Sequence, residues 1–406
     1  MNNKVNIGFI SKGLNAYFAH IKPFVDFTSG KDYNYFIFHI NKLYSPEVSI
    51  NDDRVKCIDL LKNPDFRRQL LNNKIDVMIS LNPGNIFDLF FLTVCKLENI
   101  FAVYYQHGIQ LDFRSFDAKL LNQNKSLDKT IMSLKRYIFF YGVFFYNTLR
   151  NRRRKILINS VWKKTKHLFI SKNRITLPKY GLKSNHCDLA FVYGERDKDY
   201  LMRSMDMLSE KIIISGYPFI EPLNSVSTEH SGENKLLYIS SALRHVGVIP
   251  ITKEEEKAYY QNLYDQVQSA GYELIIKLHP QEDFEVFKSY FKESQNLRLY
   301  KDTNLADLVI DSDIVAGDYS TAMFYGIKYY KPLVIIQSEF FKDYPFDFTK
   351  FDIGVKTSIN GLSKLLSQGI EINSKIYQSF LRNYLSSKNG KSLYWNFYNC
   401  INNLYH

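Results

Sequence analysis

Asp311-Ser312-Asp313-Ile314-Val315-Ala316-Gly317-Asp318-Tyr319-Ser320-Thr321-Ala322-Met323-Phe324, followed by Lys331-Pro332-Leu333-Val334-Ile335-Ile336, reads as strand, polar turn, helix, strand. The apolar run Asp313–Ala316 predicts a buried strand, Ala322–Lys328 the start of a helix, and Leu333–Ile336 the next strand. A strand that reaches its neighbour through a helix is the unit of a parallel sheet. The same alternation runs outward in both directions. Upstream, Leu236–Ile239, a helix over Lys253–Ala270, Tyr272–Leu278 and Leu297–Tyr300 complete one set. Further upstream, Val5–Ser11, a helix from Asn15, Tyr33–His39, Ile75–Leu81, a helix over Ile86–Leu97, Phe101–Tyr105, Leu189–Tyr193 and Lys211–Ser215 make another. The polar stretch Asn224 to Asn234 separates the two sets and reads as a linker.

The expected fold class is therefore α/β, with two Rossmann-like doubly wound domains facing a central cleft. The expected division is 1–223 for an N-terminal Rossmann-like domain, 224–234 for the linker, 235–373 for a C-terminal Rossmann-like domain and 374–406 for C-terminal helices. A length of 406 residues accommodates two or three domains. With 31 Phe and 30 Tyr the chain is too aromatic to be disordered. Its four cysteines, Cys57, Cys95, Cys187 and Cys400, lack paired spacing, which argues against a disulfide framework or a zinc site and for a reducing compartment. The opening Met1–Gly13 has a strand-like apolar run and no signal-peptide core, and no run of about 20 apolar residues occurs. The expectation is a cytoplasmic protein.

The net charge of +12 is concentrated. Between Asp128 and Asp188 there is no acidic residue, while 15 of the 53 Lys and Arg fall there, leaving 38 basic against 41 acidic residues elsewhere. This basic aromatic insertion, about 129–187, sets Tyr137–Tyr146 beside Arg152, Arg153, Arg154 and Lys155, with Trp162 following. Rings beside cations suit an anionic membrane surface, with the chain lying on the inner face of the cytoplasmic membrane as a peripheral protein. A buried aromatic helix followed by a solvated basic loop has the same composition. Nucleic acid is not an expected partner, because no recognition-helix, zinc-finger or RNA-binding fingerprint accompanies the charge.

Three short sites stand at strand ends, where doubly wound sheets bind ligands. Gln106-His107-Gly108 follows one strand; its histidine suits a general base near neutral pH, and Gly108 permits a tight turn. Lys277-Leu278-His279-Pro280 ends another, with Pro280 shaping the turn and His279 able to meet a phosphate. Ser320 and Thr321 open a helix whose free N–H groups suit a phosphate. Lys12 and Gly13, after the first strand, form a further candidate cleft loop. Dinucleotide, Walker, HExxH, CxxC and GxSxG patterns are absent, and the sequence asks for no cofactor and no metal.

Together these sites resemble the CDP-glycerol glycerophosphotransferases of wall teichoic acid synthesis. The Asp318-Tyr319-Ser320-Thr321 block with Lys331-Pro332, the Lys277–Pro280 block, Gly216-Tyr217-Pro218 and His107-Gly108 all match that family in order. The layout is similar to bacterial CMP-sugar transferases of the sialyl and Kdo type as well, which pair a His-Pro site with a Ser/Thr site. Two segments depart from the teichoic pattern: Ile109-Gln110-Leu111-Asp112 after His107-Gly108, and Ser240-Ser241-Ala242-Leu243-Arg244, which places Arg244 among the cleft-loop candidates.

The resemblance implies a GT-B glycosyltransferase with a cytidine-nucleotide donor, 1–223 being its acceptor domain and 235–373 its nucleotide-donor domain. It implies His107 as catalytic base, and His279, Pro280, Lys277, Ser320 and Thr321 around the donor phosphates. The expected function is transfer of an acidic keto-sugar, sialic acid-like or Kdo-like, from CMP to a glycan or lipid-linked glycan acceptor during capsule or lipopolysaccharide synthesis. The alternatives are a CDP-glycerol or CDP-ribitol polyol-phosphate transferase, and a non-catalytic membrane or polyanion-binding protein.

Overall fold

The computed structural model describes residues 4–44, 47–81, 86–106, 138–139, 142–143, 146, 187–218, 232–241, 251–280, 282–291, 296–318, 320–337, 347–387, 389 and 391–405. They divide into two compact units. All of the expected linker before Gly232, and nearly all of the basic insertion, lie outside the described residues.

The first unit is built on a seven-stranded, all-parallel sheet. Its strands are β1 (Val5–Ser11), β2 (Tyr33–His39), β3 (Val55–Asp59), β4 (Val77–Ser80), β5 (Phe101–Tyr105), β6 (Leu189–Val192) and β7 (Ile212–Ile214), in the order β3-β2-β1-β4-β5-β6-β7. Parallel strands covered on both faces read as unbroken apolar runs, and every residue of β4 is buried. The helices are α1 (Lys22–Phe27), α2 (Phe66–Asn72), α3 (Ile86–Leu97) and α4 (Glu195–Met205). Phe66 of α2 stacks on Phe91 of α3 with ring centroids 4.2 Å apart, over a core that includes Ile10, Phe38 and Met78. Each such side chain contributes about 1.5–3 kcal/mol by leaving water. The helix expected from Asn15 opens there and passes through a π-helical turn, Tyr17–Ile21, before α1 takes over.

The second unit has a six-stranded parallel sheet. Strands β8 (Lys235–Ile239), β9 (Glu273–Lys277), β10 (Leu297–Tyr300), β11 (Ile314–Gly317), β12 (Leu333–Ile336) and β13 (Val355–Thr357) lie in the order β10-β9-β8-β11-β12-β13. Helix α5 (Lys253–Ser269) starts with a reciprocal cap. Thr252 Oγ1 accepts from Glu255 N–H at 3.1 Å, and the Glu255 carboxylate accepts from Thr252 N–H at 2.6 Å. The remaining helices are α6 (Phe284–Tyr290), α7 (Leu305–Asp311), α8 (Phe324–Lys328), α9 (Leu362–Gln368) and α10 (Ser374–Phe380). Asp311-Ser312-Asp313 joins α7 to β11, with the Asp313 carboxylate accepting from Lys235 N–H at 3.0 Å.

The two C-terminal helices belong to different units. Phe380 of α10 packs on Phe324, Phe348 and Phe351 of the second. Helix α11 (Leu393–Tyr405) belongs to the first, where Phe397 meets Phe24 edge-on at 4.7 Å and Tyr405 donates to Asp76 O at 3.0 Å.

His39, at the carboxyl end of β2, is buried, and its Nδ1 accepts from Asn41 N–H at 3.3 Å. Burial holds its pKa below the ordinary histidine value, with Asp59 partly opposing the shift. A lowered folded-state pKa means that the neutral ring stabilises the fold. That contribution is complete above pH of about 6.5 and is lost as pH falls below it. Urea midpoints recorded between pH 7 and 5 should therefore fall more steeply in the wild type than in His39→Gln; parallel slopes would refute the assignment.

Candidate active site

In each sheet the strand order reverses beside the first strand of the unit, between β1 and β4 and again between β8 and β11. A crevice opens at the carboxyl ends of the strands at such a point, because the crossover helices leave on opposite sides. The second sheet gathers there the ends of three adjacent strands: His279 and Pro280 after β9, Ser240 and Ser241 after β8, and Asp318, Ser320 and Thr321 after β11.

Close approach between β8 and β11 explains Gly317. A Cβ there would lie 2.9 Å from the Ile239 carbonyl oxygen, a backbone atom that cannot swing aside. Gly317→Ala is expected to lower stability by about 1–3 kcal/mol, read as a reduced denaturant midpoint. An unchanged midpoint would show that the two strands have room to spare.

His279 is half-buried at the first position of a tight turn. The Glu282 N–H donates to His279 O at 3.0 Å, and Pro280 occupies the second position, where its fixed φ suits a type I or II turn. Glu282 is buried; its carboxylate accepts from His279 N–H at 2.7 Å and from Ser240 Oγ–H at 2.6 Å. Pro280, which the resemblance sets among the phosphate-binding residues, thus has a conformational task in this turn.

Ser320 caps the turn Thr321–Met323, which runs into α8. Its Oγ accepts from Ala322 N–H at 3.2 Å, and its extended backbone aligns the first helical N–H groups. Thr321 follows, half-buried. Asp318, buried one turn earlier, accepts from the Tyr259 hydroxyl at 2.9 Å. The Tyr259 hydroxyl in turn lies 3.3 Å from that of Tyr238 on β8. Lys277 takes a bracing part: its ammonium donates to Leu278 O at 3.0 Å and Lys301 O at 2.6 Å, and burial lowers its pKa. Lys331, of the Lys-Pro pair, is buried and braces in the same way, donating to Ile310 O at 3.1 Å at the end of α7.

In the first unit, Lys12 and Gly13 stand at the carboxyl end of β1. Lys12 O accepts from Ile40 N–H at 3.2 Å, Leu14 N–H donates to the Asn41 side chain at 2.9 Å, and the Lys12 ammonium sits 5.9 Å from the Tyr44 ring centre. Beside them, at the end of β4, Ser80 Oγ donates to the buried Asp88 carboxylate at 2.6 Å. Gln106, at the end of β5, is buried and doubly fixed: its N–H donates to Phe191 O at 3.0 Å, and its side-chain oxygen accepts from Tyr193 N–H at 2.9 Å. It anchors the chain at the residue before His107. His107 itself lies outside the described residues, as do Arg244, Arg152, Arg153, Arg154, Lys155 and Trp162.

Glu282 and Tyr259 are the site residues that the motifs do not point to. The signal for Glu282 is its spacing, a carboxylate three residues after the histidine and across a proline. An acid in a polar loop otherwise reads as solvated. Among the described residues, no group of three or more His, Cys, Asp or Glu side chains is placed to hold a metal ion, and no helix is long and apolar enough to cross a membrane.

A family model described as alpha-2,8-polysialyltransferase (POLYST) matches residues 4–336, which takes in both sheets through β12. The chain belongs to the alpha-2,8-polysialyltransferase family. As a member of the polysialyltransferase family it is a glycosyltransferase of polysaccharide synthesis, in agreement with the resemblance drawn from its motifs. Similar solved structures include the wall teichoic acid polymerase TagF, at TM-score 0.56 and 14% identity, over 99% of this chain and 89% of that one. The UDP-GlcNAc 2-epimerase of Methanocaldococcus jannaschii, in complex with UDP-GlcNAc and UDP, matches at TM-score 0.51 and 12% identity, over 98% and 99% of the two chains. The S. aureus MnaA–UDP structure matches at TM-score 0.52 and 11% identity, over 99% and 96%. Likeness at such identities concerns the fold, which is of the GT-B type: two α/β units, each on a parallel sheet. No curated protein sequence matches the chain.

Proposed function

We propose that this polysialyltransferase-family enzyme transfers a sialic acid from a CMP-activated donor to the sialylated end of a growing glycan. The observation that carries the reading is the convergence of the His279 turn and the Ser320 cap on one switch point in the second sheet. A histidine and a set of helix-opening N–H groups at the same edge of one sheet suit a nucleotide phosphate, and the family's described activity supplies the transferred sugar. In the step proposed, an acceptor hydroxyl attacks the anomeric carbon and the bond from that carbon to the CMP phosphate oxygen breaks. CMP departs with the electron pair, and the hydroxyl proton passes to His107. His279, Ser320 and Thr321 stabilise the charge that grows on the leaving phosphate, the kind of contact worth about 10²–10³ in turnover.

We place this activity at the inner face of the cytoplasmic membrane. The basic aromatic segment 129–187 would dock on anionic lipid, holding the enzyme near a lipid-linked acceptor. The reading is tested by incubating the enzyme with CMP-sialic acid and an oligosialic acid primer, then measuring chain length by anion-exchange chromatography. Extension of the primer is expected. Turnover of CDP-glycerol or CDP-ribitol with none of CMP-sialic acid would overturn the donor assignment.

A further inference from the structure

The His279 turn is closed more firmly than its length requires. The bond from Glu282 N–H to His279 O and the ring of Pro280 already define a four-residue turn. To these the protein adds a carboxylate that is only 1% exposed. Burying a carboxylate is costly unless donors surround it, and two donors are present. His279 N–H reaches one oxygen at 2.7 Å and Ser240 Oγ–H reaches the other at 2.6 Å. Ser240 has a single hydroxyl proton. With that proton on Glu282, the Tyr260 hydroxyl, 3.2 Å from Ser240 Oγ, is the donor of that contact. A buried chain of hydrogen bonds thus runs from Tyr260 on α5, through Ser240 at the end of β8 and Glu282, to the main chain of His279 at the end of β9.

We propose that Glu282 is a positioning residue of the donor site. It ties the His279 main chain to the end of β8, the strand that borders the switch point, and so sets where the imidazole stands when the nucleotide arrives. This rests on the reading of His279 as a donor-phosphate residue. A carboxylate that served the turn alone would act on one segment; Glu282 joins two strand ends and a helix.

The test compares Glu282→Ala with Glu282→Gln by CMP affinity, steady-state kinetics and deuterium exchange across residues 273–284. Alanine leaves His279 N–H and Ser240 Oγ–H without their acceptor. CMP affinity should fall about tenfold, the loss that one or two buried hydrogen bonds produce, with faster exchange in the turn. Glutamine keeps the geometry: its oxygen accepts from His279 N–H and its amide donates to Ser240 Oγ once the Ser240 and Tyr260 hydroxyls reverse. It should therefore restore affinity and exchange to near wild-type values.

Unaltered affinity and exchange in Glu282→Ala would overturn the proposal. So would a glutamine variant as impaired as alanine, since charge rather than position would then matter. If Glu282→Ala fails to fold, Ser240→Ala reads the same tether from its other end, and wild-type exchange in that variant would refute the coupling. Wild-type enzyme that binds no CMP would instead sink the donor reading, while exchange in the turn still decides the role of Glu282.

Discussion

His107→Ala is expected to lower sialyl transfer by about two to four orders of magnitude, the usual range for a lost general base, while leaving CMP affinity unchanged. The separation follows from the assigned roles. In the proposed step His107 takes the acceptor's proton, whereas the residues proposed to hold the nucleotide belong to the other sheet. The local structure limits collateral damage, because Gln106, the residue before it, is fixed independently by Phe191 and Tyr193. The loss should appear in kcat with little change in donor KM. Full turnover in this variant would show that another group takes the proton, or that the reaction needs no protein base.

His279→Ala has a different signature. The side chain is assigned to the donor phosphate in the ground state and to the charge that develops on it as CMP leaves. Its removal should therefore raise donor KM and also lower kcat, the latter by about 10²–10³, the cost of losing one well-placed donor to a developing anion. The main-chain bonds of the turn, from Glu282 N–H to His279 O and from His279 N–H to the Glu282 carboxylate, do not involve the imidazole. The variant should consequently fold with a near-wild-type melting temperature. CMP affinity equal to the wild type would remove His279 from the donor site. The contrast between the two variants, kcat alone against kcat and KM together, distinguishes base from phosphate ligand more sharply than either result by itself.

Much of the fold is legible in the sequence because the central strands are continuous apolar runs. Tyr33–His39, Phe101–Tyr105, Leu297–Tyr300 and Leu333–Ile336 are strands from end to end as their composition predicts. The two strands that composition misses, β3 and β13, are both sheet edges. Val55-Lys56-Cys57-Ile58-Asp59 mixes buried and exposed residues, and Val355–Thr357 has only three residues. With one neighbour apiece, edge strands need no long apolar run. The switch-point residues His279 and Ser320 are legible through the rule that ligands bind at strand ends. Glu282 and Tyr259 are not, since their significance lies in contacts with segments distant in the chain: Ser240 for Glu282, Asp318 for Tyr259. The helix expected from Asn15 begins there, but a π turn interrupts its α-helical run just before Pro23, which has no N–H to give to the helix ladder.

The cytidine donor is the central claim, and thermal stabilisation of the wild-type enzyme tests it most directly. Ligand that binds only the folded state raises stability by mass action, about 2.7 kcal/mol at a hundredfold excess over Kd. With CMP, CDP, UDP and GDP compared at equal concentration, the account predicts a rise in melting temperature with the cytidine nucleotides, absent with UDP and GDP. A rise with UDP or GDP and none with CMP or CDP would contradict it.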